Sequence, residues 1–346
     1  MAVNAGEDRL AVIVLGASAG GVDALAEVIG GLPPDIPAAV CVVLHLAPEG
    51  KSVLPHIIES RGKLPARHPA DGERLEAGRV YVAPPDLHLV VQHGWVRLSA
   101  APKENGLRPS VDTLFRSAAQ AYGSRVVGVV LSGTLDDGTS GLLAIKQHGG
   151  VGVVQDPEEA MFPSMPASAA RFSDPDHILP IDKIPELLTT VVEDLVTRDQ
   201  PSIRPEVGGA PMDEMPDSDE ASATAQPGEP SEFTCPECGG TLWEYDEAGL
   251  LRFRCRVGHA YSTESLLADQ SNALEAALWA AVVALEERAD LARRLSDRMR
   301  GRGRTGSGHR FEREASDARD RARVVRDALL HLKKPIRAED IAVEDG

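Results

Sequence analysis

Ser18 stands in Gly16-Ala17-Ser18-Ala19-Gly20-Gly21, a Gly-x-Ser-x-Gly turn between the apolar run Val12-Ile13-Val14-Leu15 and a helical pattern opening at Val22. A strand-turn-helix corner of this kind lifts a hydroxyl clear of the backbone at the carboxyl edge of a sheet. Near neutral pH that hydroxyl is a poor nucleophile unless a base takes its proton and a third group orients the base. Candidates for both sit at other strand ends. His45 closes the run Ala39-Val40-Cys41-Val42-Val43-Leu44, and Asp137 lies just past Val129-Val130-Leu131, with its neighbour Asp136 as the rival acid. Spacing does not choose between the two aspartates. A dinucleotide-binding loop would want glycine where Ser18 stands and an acidic residue where His45 stands, so both positions favour a nucleophile over a phosphate cradle. The chemistry is acyl transfer, with backbone N–H groups at Ala19 and Thr134 as candidates for an oxyanion hole.

A second cluster lies far downstream. Cys235-Pro236-Glu237-Cys238 is followed, past a hairpin pattern with Trp243, Tyr245 and Phe253, by Cys255-Arg256-Val257-Gly258-His259. Three thiolates and an imidazole at C-x2-C and C-x3-H spacing match one tetrahedral zinc site, and four protein ligands make it closed and structural. A redox Cys-x-x-Cys is the alternative, and the histidine argues against it. Cys41, inside an apolar run, reads as a buried small side chain.

These residues need a scaffold that gathers strand ends. Strands are expected at 10–15, 38–44, 125–131 and 151–154, with shorter pieces at 79–83, 87–91 and 95–99, the last two forming a hairpin on the sheet edge. Helices are expected at 21–31, 51–60, 110–122, 139–148 and 184–197. The alternation predicts an α/β class: a doubly wound, mostly parallel sheet, whose ligands gather outside the carboxyl ends of the strands. Four parts follow: a catalytic domain over 9–197, an acidic disordered linker over 198–231, a zinc-ribbon-like module over 232–262 and a helical hairpin or coiled coil over 263–334. No Lys or Arg occurs from Pro205 until Arg252, and the linker's Pro, Gly, Ser and acidic composition cannot bury enough apolar surface to fold. In the tail, Leu267, Leu274, Leu278 and Leu285 start one heptad-like stripe, and Phe311, Ala315, Ala318 and Ala322 start another, with Gly301 to Gly308 between them.

At this point a family resemblance becomes specific. The Ser18 turn, the His45 strand end, Asp71-Gly72-Glu73-Arg74, the stretch from Gly78 to Asp86, Arg108-Pro109-Ser110-Val111-Asp112-Thr113-Leu114-Phe115, and Leu131-Ser132-Gly133 leading to Asp137-Gly138 follow one another in order. Together they resemble the catalytic domain of chemotaxis protein-glutamate methylesterases, the CheB family, over roughly residues 9–195. The resemblance implies hydrolysis of glutamyl methyl esters on chemoreceptor-like signalling proteins, with release of methanol and, in some members, glutamine deamidation. It places the nucleophile on Ser18, the base on His45 and the acid on Asp137, and it implies no catalytic cofactor. Where the family pattern has Met-Gly-Asn before that acid, this chain has Thr134-Leu135-Asp136. Met161-Phe162-Pro163-Ser164-Met165-Pro166 resembles the family's loop beside the cleft. The tail resembles the zinc-ribbon and helical extension that follows some stand-alone members, those without a receiver domain.

Composition narrows the partners. A formal net charge of −17 over 346 residues excludes a nucleic-acid partner bound through a basic face. Lys103, Arg108 and Arg116 offer a local basic patch that could draw in a Glu-rich helix. Met1 to Arg9 is polar and no run of about 18 apolar residues follows, so a cytoplasmic protein without membrane insertion is expected. The expected partner is a methylated chemoreceptor or similar signalling protein, with the helical tail available to a histidine kinase or to a second copy. The competing function is a scaffold with little or no catalysis that recruits its partner through the zinc and helical tail.

Overall fold

The computed structural model describes residues 10–46, 52–197 and 228–332. All seven residues of β1 (Ala11–Ala17) and all seven of β2 (Ala38–Leu44) are buried, as strands covered on both faces must be. Alternate side chains feed two cores. Ile13, Leu15, Val40 and Val42 pack with α1 (Gly21–Gly30), α2 (Leu54–Arg61) and α6 (Ile184–Thr197). Val12, Val14, Cys41 and Val43 pack with α3 (Val111–Tyr122), α4 (Thr139–Gln147) and α5 (Ser164–Phe172). With β3 (Ala66–Arg67), β5 (Arg79–Val82), β8 (Val126–Val130), β9 (Val151–Gln155) and β10 (His177–Leu179), the sheet runs β10-β9-β8-β1-β2-β5-β3, every pairing parallel. This is the doubly wound α/β arrangement that the alternation predicts, and its topological switch point lies at β1, between β2 and β8.

Two local expectations change. The hairpin of β6 (His88–Gln92) and β7 (Trp95–Ser99) is not on the edge of the parallel sheet; it joins β4 (Glu73–Arg74) in a separate three-stranded sheet. Its apolar face, Leu89, Val91 and Val96, is buried in the core beside α3, and the Val91 and Gly94 amides donate to Ser117 Oγ and Tyr122 Oη. The segment after Met161 is not all loop, because α5 starts at Ser164. Pro163 caps it and Pro166 falls in its first turn, where a missing N–H costs nothing, so prolines that read as breakers open a helix instead.

A four-stranded antiparallel sheet follows: β11 (Glu229–Thr234), β12 (Thr241–Glu247), β13 (Leu250–Cys255) and β14 (Ala260–Ser262), closed over Leu242, Phe253, Tyr261 and Leu266. It belongs to the same compact unit as the parallel sheet, Met1–Leu266. Of the expected linker, residues 198–227 lie outside the described residues, and Glu229 already starts a strand.

The second unit is Leu267–Gly346, and its described part is most of α7 (Thr263–Gly301) and all of α8 (Thr305–Leu332). The helices run antiparallel, as the order of the pairs Arg300–Glu312, Arg288–Glu314 and Glu286–Arg326 shows. Ala289, Ala292, Ala315, Ala318 and Ala322 are buried between them, while Leu267 and Leu274 on the expected stripe are exposed. The reason is length: α7 has 39 residues and α8 has 28, so about 16 Å at the start of α7 outruns its described partner. Gly306 and Gly308 lie inside α8, so the connection is shorter than the expected Gly301 to Gly308. No helix among the described residues is long and apolar enough to cross a membrane.

Candidate active site

Register brings the first two candidates together. Ala17 pairs with Leu44 at the ends of β1 and β2, and the His45 amide donates to the Ala17 carbonyl at 3.1 Å, so Ser18 and His45 leave adjacent strands at the same level. On the other side the Ser18 amide donates to the Ser132 carbonyl just beyond β8, at 3.0 Å. The turn closes at Gly20, which caps α1 with φ +72°; a Cβ there would lie 2.9 Å from Ser132 Oγ. Gly133 is equally constrained, since a Cβ would lie 2.9 Å from Ser18 Cβ and 2.5 Å from Met165 Sδ. Ser18 Oγ has no hydrogen-bond partner among the described residues.

The neighbouring aspartates separate. Asp137 Oδ2 accepts from His45 Nε2 at 2.8 Å, which leaves Nδ1 as the basic nitrogen of the neutral ring. Oδ2 also accepts the Val111 amide at 2.7 Å, and Oδ1 accepts Ser110 Oγ, Asn105 Nδ2 and the Asp112 amide at 2.9, 2.9 and 3.2 Å. The carboxylate therefore sits on the N-terminus of α3, where unpaired amides and the helix dipole favour an anion. Burial pushes its pKa up, but the His45 contact, the Val111 amide and Asn105 outweigh it and hold the carboxyl well below the usual range. Asp136 turns the other way, accepting from Ser262 Oγ at 2.8 Å, and the backbone just before the pair, at Leu135, takes a left-handed φ of 62°. Burial pushes Asp136 up to about 6, against the Ser262 hydrogen bond.

Of the oxyanion-hole candidates, neither the Ala19 nor the Thr134 amide is committed to a backbone carbonyl among the described residues. Gly133 is committed, donating to the Phe162 carbonyl at 2.9 Å. Ser132 ties the same loop to the Ser18 turn: its Oγ donates to the Ala19 carbonyl and accepts the Phe162 amide, at 2.9 and 3.0 Å. Met161 and Phe162 thus form an apolar lip beside Gly20, with Met161 72% exposed. The expected basic patch is not a free one. Lys103, Arg108 and Arg116 pair with Glu237, Asp86 and Glu104.

Sequence reasoning missed Asn105, Ser110, Ser132 and Arg252, all buried polar side chains. The Asn105-Gly106 turn dipeptide and the cap pattern Ser110-x-x-Thr113 were the available signals. Nothing local marks Arg252.

Cys235, Cys238, Cys255 and His259 come together with all ligand atoms within 4.8 Å of one another. Cys238 Sγ lies 3.7 Å from Cys255 Sγ, and His259 Nδ1 lies 3.7 and 3.5 Å from Cys235 and Cys255 Sγ. A tetrahedron with ~2.3 Å metal–sulfur arms has edges of about 3.8 Å, so the cluster fits a metal ion of zinc's size and preference. Cys41 is fully buried and its thiol is pushed up to about 12 by burial, which leaves it inert.

Residues 13–188 match the family model described as CheB methylesterase. The chain is 43% identical over 180 residues to protein-glutamate methylesterase/protein-glutamine glutaminase 2 of Anaeromyxobacter dehalogenans, covering 52% of this chain and 53% of that protein. It is 36% identical over 189 residues to the like-named protein 2 of Methanosarcina mazei, covering 52% of each. The chain thus spans about half the length of the curated relatives it matches. Among solved structures it resembles the Thermotoga maritima CheB methylesterase catalytic domain, with 36% identity and a TM-score of 0.50 over 52% of this chain and 98% of that one.

Proposed function

The chain belongs to the CheB methylesterase family, and on that premise we propose that it is a serine hydrolase demethylating glutamyl methyl esters on chemoreceptor-like signalling proteins. The observation that carries this reading is the 2.8 Å contact of His45 with the five-donor Asp137 carboxylate, beside the strand end that bears Ser18. Ser18 Oγ attacks the ester carbonyl while His45 Nδ1 takes its proton and Asp137 stabilises the imidazolium. The Ala19 and Thr134 amides receive the negative charge that develops on the carbonyl oxygen. His45 returns the proton to the departing methoxide, which leaves as methanol, and then activates the water that frees the glutamate carboxylate. The same steps on a primary amide deamidate glutamine and release ammonia. No cofactor enters them.

The scaffold reading is the weaker one, because a buried carboxylate saturated with donors toward one imidazole is an expensive device for a molecule that only binds. Cys235, Cys238, Cys255 and His259 are proposed to hold a structural zinc, whose part is to tie two turns of one small sheet. We assign 9–197 to the catalytic domain, 198–228 to a linker, 229–262 to the zinc module, since β11 already pairs at Glu229, and 263–334 to a helical hairpin or coiled coil that presents a surface to a histidine kinase or a second copy. The cytoplasm is the proposed compartment. Methanol release from methylated receptor fragments tests the activity: Ser18→Ala should lose about 10³-fold or more, and near-native turnover in that variant would overturn the assignment.

A further inference from the structure

The Cys/His module packs against the acid of the proposed catalytic set. Backbone joins them first: the Asn105 amide donates to the Ala260 carbonyl at 2.7 Å, and the Ala260 amide donates to the Lys103 carbonyl at 3.2 Å. Asn105 then works as a two-sided bracket. Its Nδ2 donates to Asp137 Oδ1 at 2.9 Å and Asp112 Oδ2 at 3.0 Å; its Oδ1 accepts the Ser262 amide, Ser265 Oγ and Arg252 Nη1 at 2.9, 3.1 and 3.4 Å. The donors on the oxygen side all come from residues 252–265. They decide which end of the amide faces the carboxyl groups, because a flipped amide would set N–H against three donors and its oxygen against the Asp137 carboxylate.

Charge follows the same route. Arg252, with its side chain 3% exposed, binds Glu104 and lies 3.5 Å from Asp112. Glu104 also binds Arg116 on α3, the helix whose N-terminus receives Asp137. Glu104, Asp112 and Asp137 are three buried carboxylates in one neighbourhood, and the module supplies one of the two arginines that offset them. Arg252 is three residues before Cys255 on β13, and Ser262 is three after His259 on β14, so the cluster pins both strands that deliver these groups.

We infer that the Cys/His module is a working part of the catalytic unit, with Arg252, Ser262 and Ser265 fixing Asn105 and Asn105 acting as the positioning residue that orients Asp137 toward His45. The inference rests on the catalytic roles proposed above for Ser18, His45 and Asp137. It makes turnover depend on a segment that lies beyond the region matched to the family, and on the metal cluster that braces it.

The test uses the full chain, with two readouts: methanol release from a methylated receptor fragment, and the rate at which a fluorophosphonate probe labels Ser18. Asn105→Ala and Arg252→Met should each lower kcat about 10- to 100-fold, and Ser265→Ala about 2- to 10-fold, with KM within about twofold, because none of these side chains meets substrate. Labelling should slow in parallel while circular dichroism stays native. Glu232→Gln, at an exposed position of β11 away from Asn105 and the Cys/His cluster, should leave both readouts near wild type. Removing metal with a chelator, followed by elemental analysis and thermal unfolding, should slow labelling as the module loosens. Native kcat and labelling in folded Arg252→Met and Ser265→Ala would overturn the inference even if the wild type releases methanol. A wild type that releases no methanol, with labelling still slowed in these variants, would overturn the proposed substrate and leave the positioning role standing.

Discussion

Replacing Asp137 by asparagine, with Asp136→Asn as its partner experiment, tests the site most directly. Asp137 accepts five hydrogen bonds, two on Oδ2 and three on Oδ1. An amide supplies one oxygen, and the Oδ1 side, with three donors, claims it. The new –NH2 then faces the Val111 amide and His45 Nε2. The imidazole can satisfy it only by accepting at Nε2, which moves the ring proton to Nδ1 and removes the base that Ser18 needs. A wrong-tautomer triad loses about 10⁴-fold in kcat where it has been tested in a serine protease, and a loss of 10³- to 10⁴-fold is expected here. Stability moves as well. Asp137 is held below the range of an unfolded aspartate, so its contribution is full above about pH 4 and fades as pH falls. Asp137→Asn should therefore lower the thermal midpoint near pH 7 and flatten its dependence on acid. Asp136→Asn should stay within about tenfold of wild-type turnover, because that side chain faces Ser262. Methanol release and calorimetry on both variants decide the matter. Equal losses, or a greater loss in Asp136→Asn, would refute the assignment of the acid.

Other outcomes follow from the same geometry. Because burial raises Asp136 to about 6, its ionisation opposes folding as pH climbs through that value, so Asp136→Asn should match wild type near pH 4 and exceed it by about 1–3 kcal/mol at pH 8, measured by denaturant unfolding. Gly133→Ala places a methyl against Ser18 Cβ and Met165 Sδ and should cost about 100-fold in ester hydrolysis; unchanged kinetics would mean that the turn is not rigid. Phe162→Ala should raise KM for the receptor substrate several-fold with little effect on a small ester, since the Met161–Phe162 lip lies beside the Ser18 turn and is open to solvent. Elemental analysis should find one zinc per chain in the wild type and none in Cys255→Ser, with a lower unfolding temperature for the variant.

Much of this was legible in the chain because it is local. β-Branched runs at 11–17, 38–44, 126–130 and 151–155 need no partner to declare themselves strands, and Gly20 and Gly138 open helices at left-handed φ where only their lack of a Cβ makes the geometry easy. Short or proline-bearing elements were less legible: α5 hides behind Pro163 and Pro166, and the β6–β7 hairpin shows its apolar face but not what covers it.

By itself the sequence determined which side chains reach the carboxyl end of the sheet, Ser18 and His45 among them, and which four residues can gather around one metal. Period and turn chemistry encode the face on which a residue lies. They do not encode its partner. The choice of Asp137 over Asp136 depends on a contact with His45 across 92 residues of chain and on the Val111 amide at the start of α3, while Asp136 meets Ser262. The bracket on Asn105 comes from Arg252, 147 residues downstream, past a segment whose composition separates two modules on paper. Only the folded chain makes that contact, because buried carboxylates must find their counter-charge wherever packing brings one, and sequence distance has no part in that requirement.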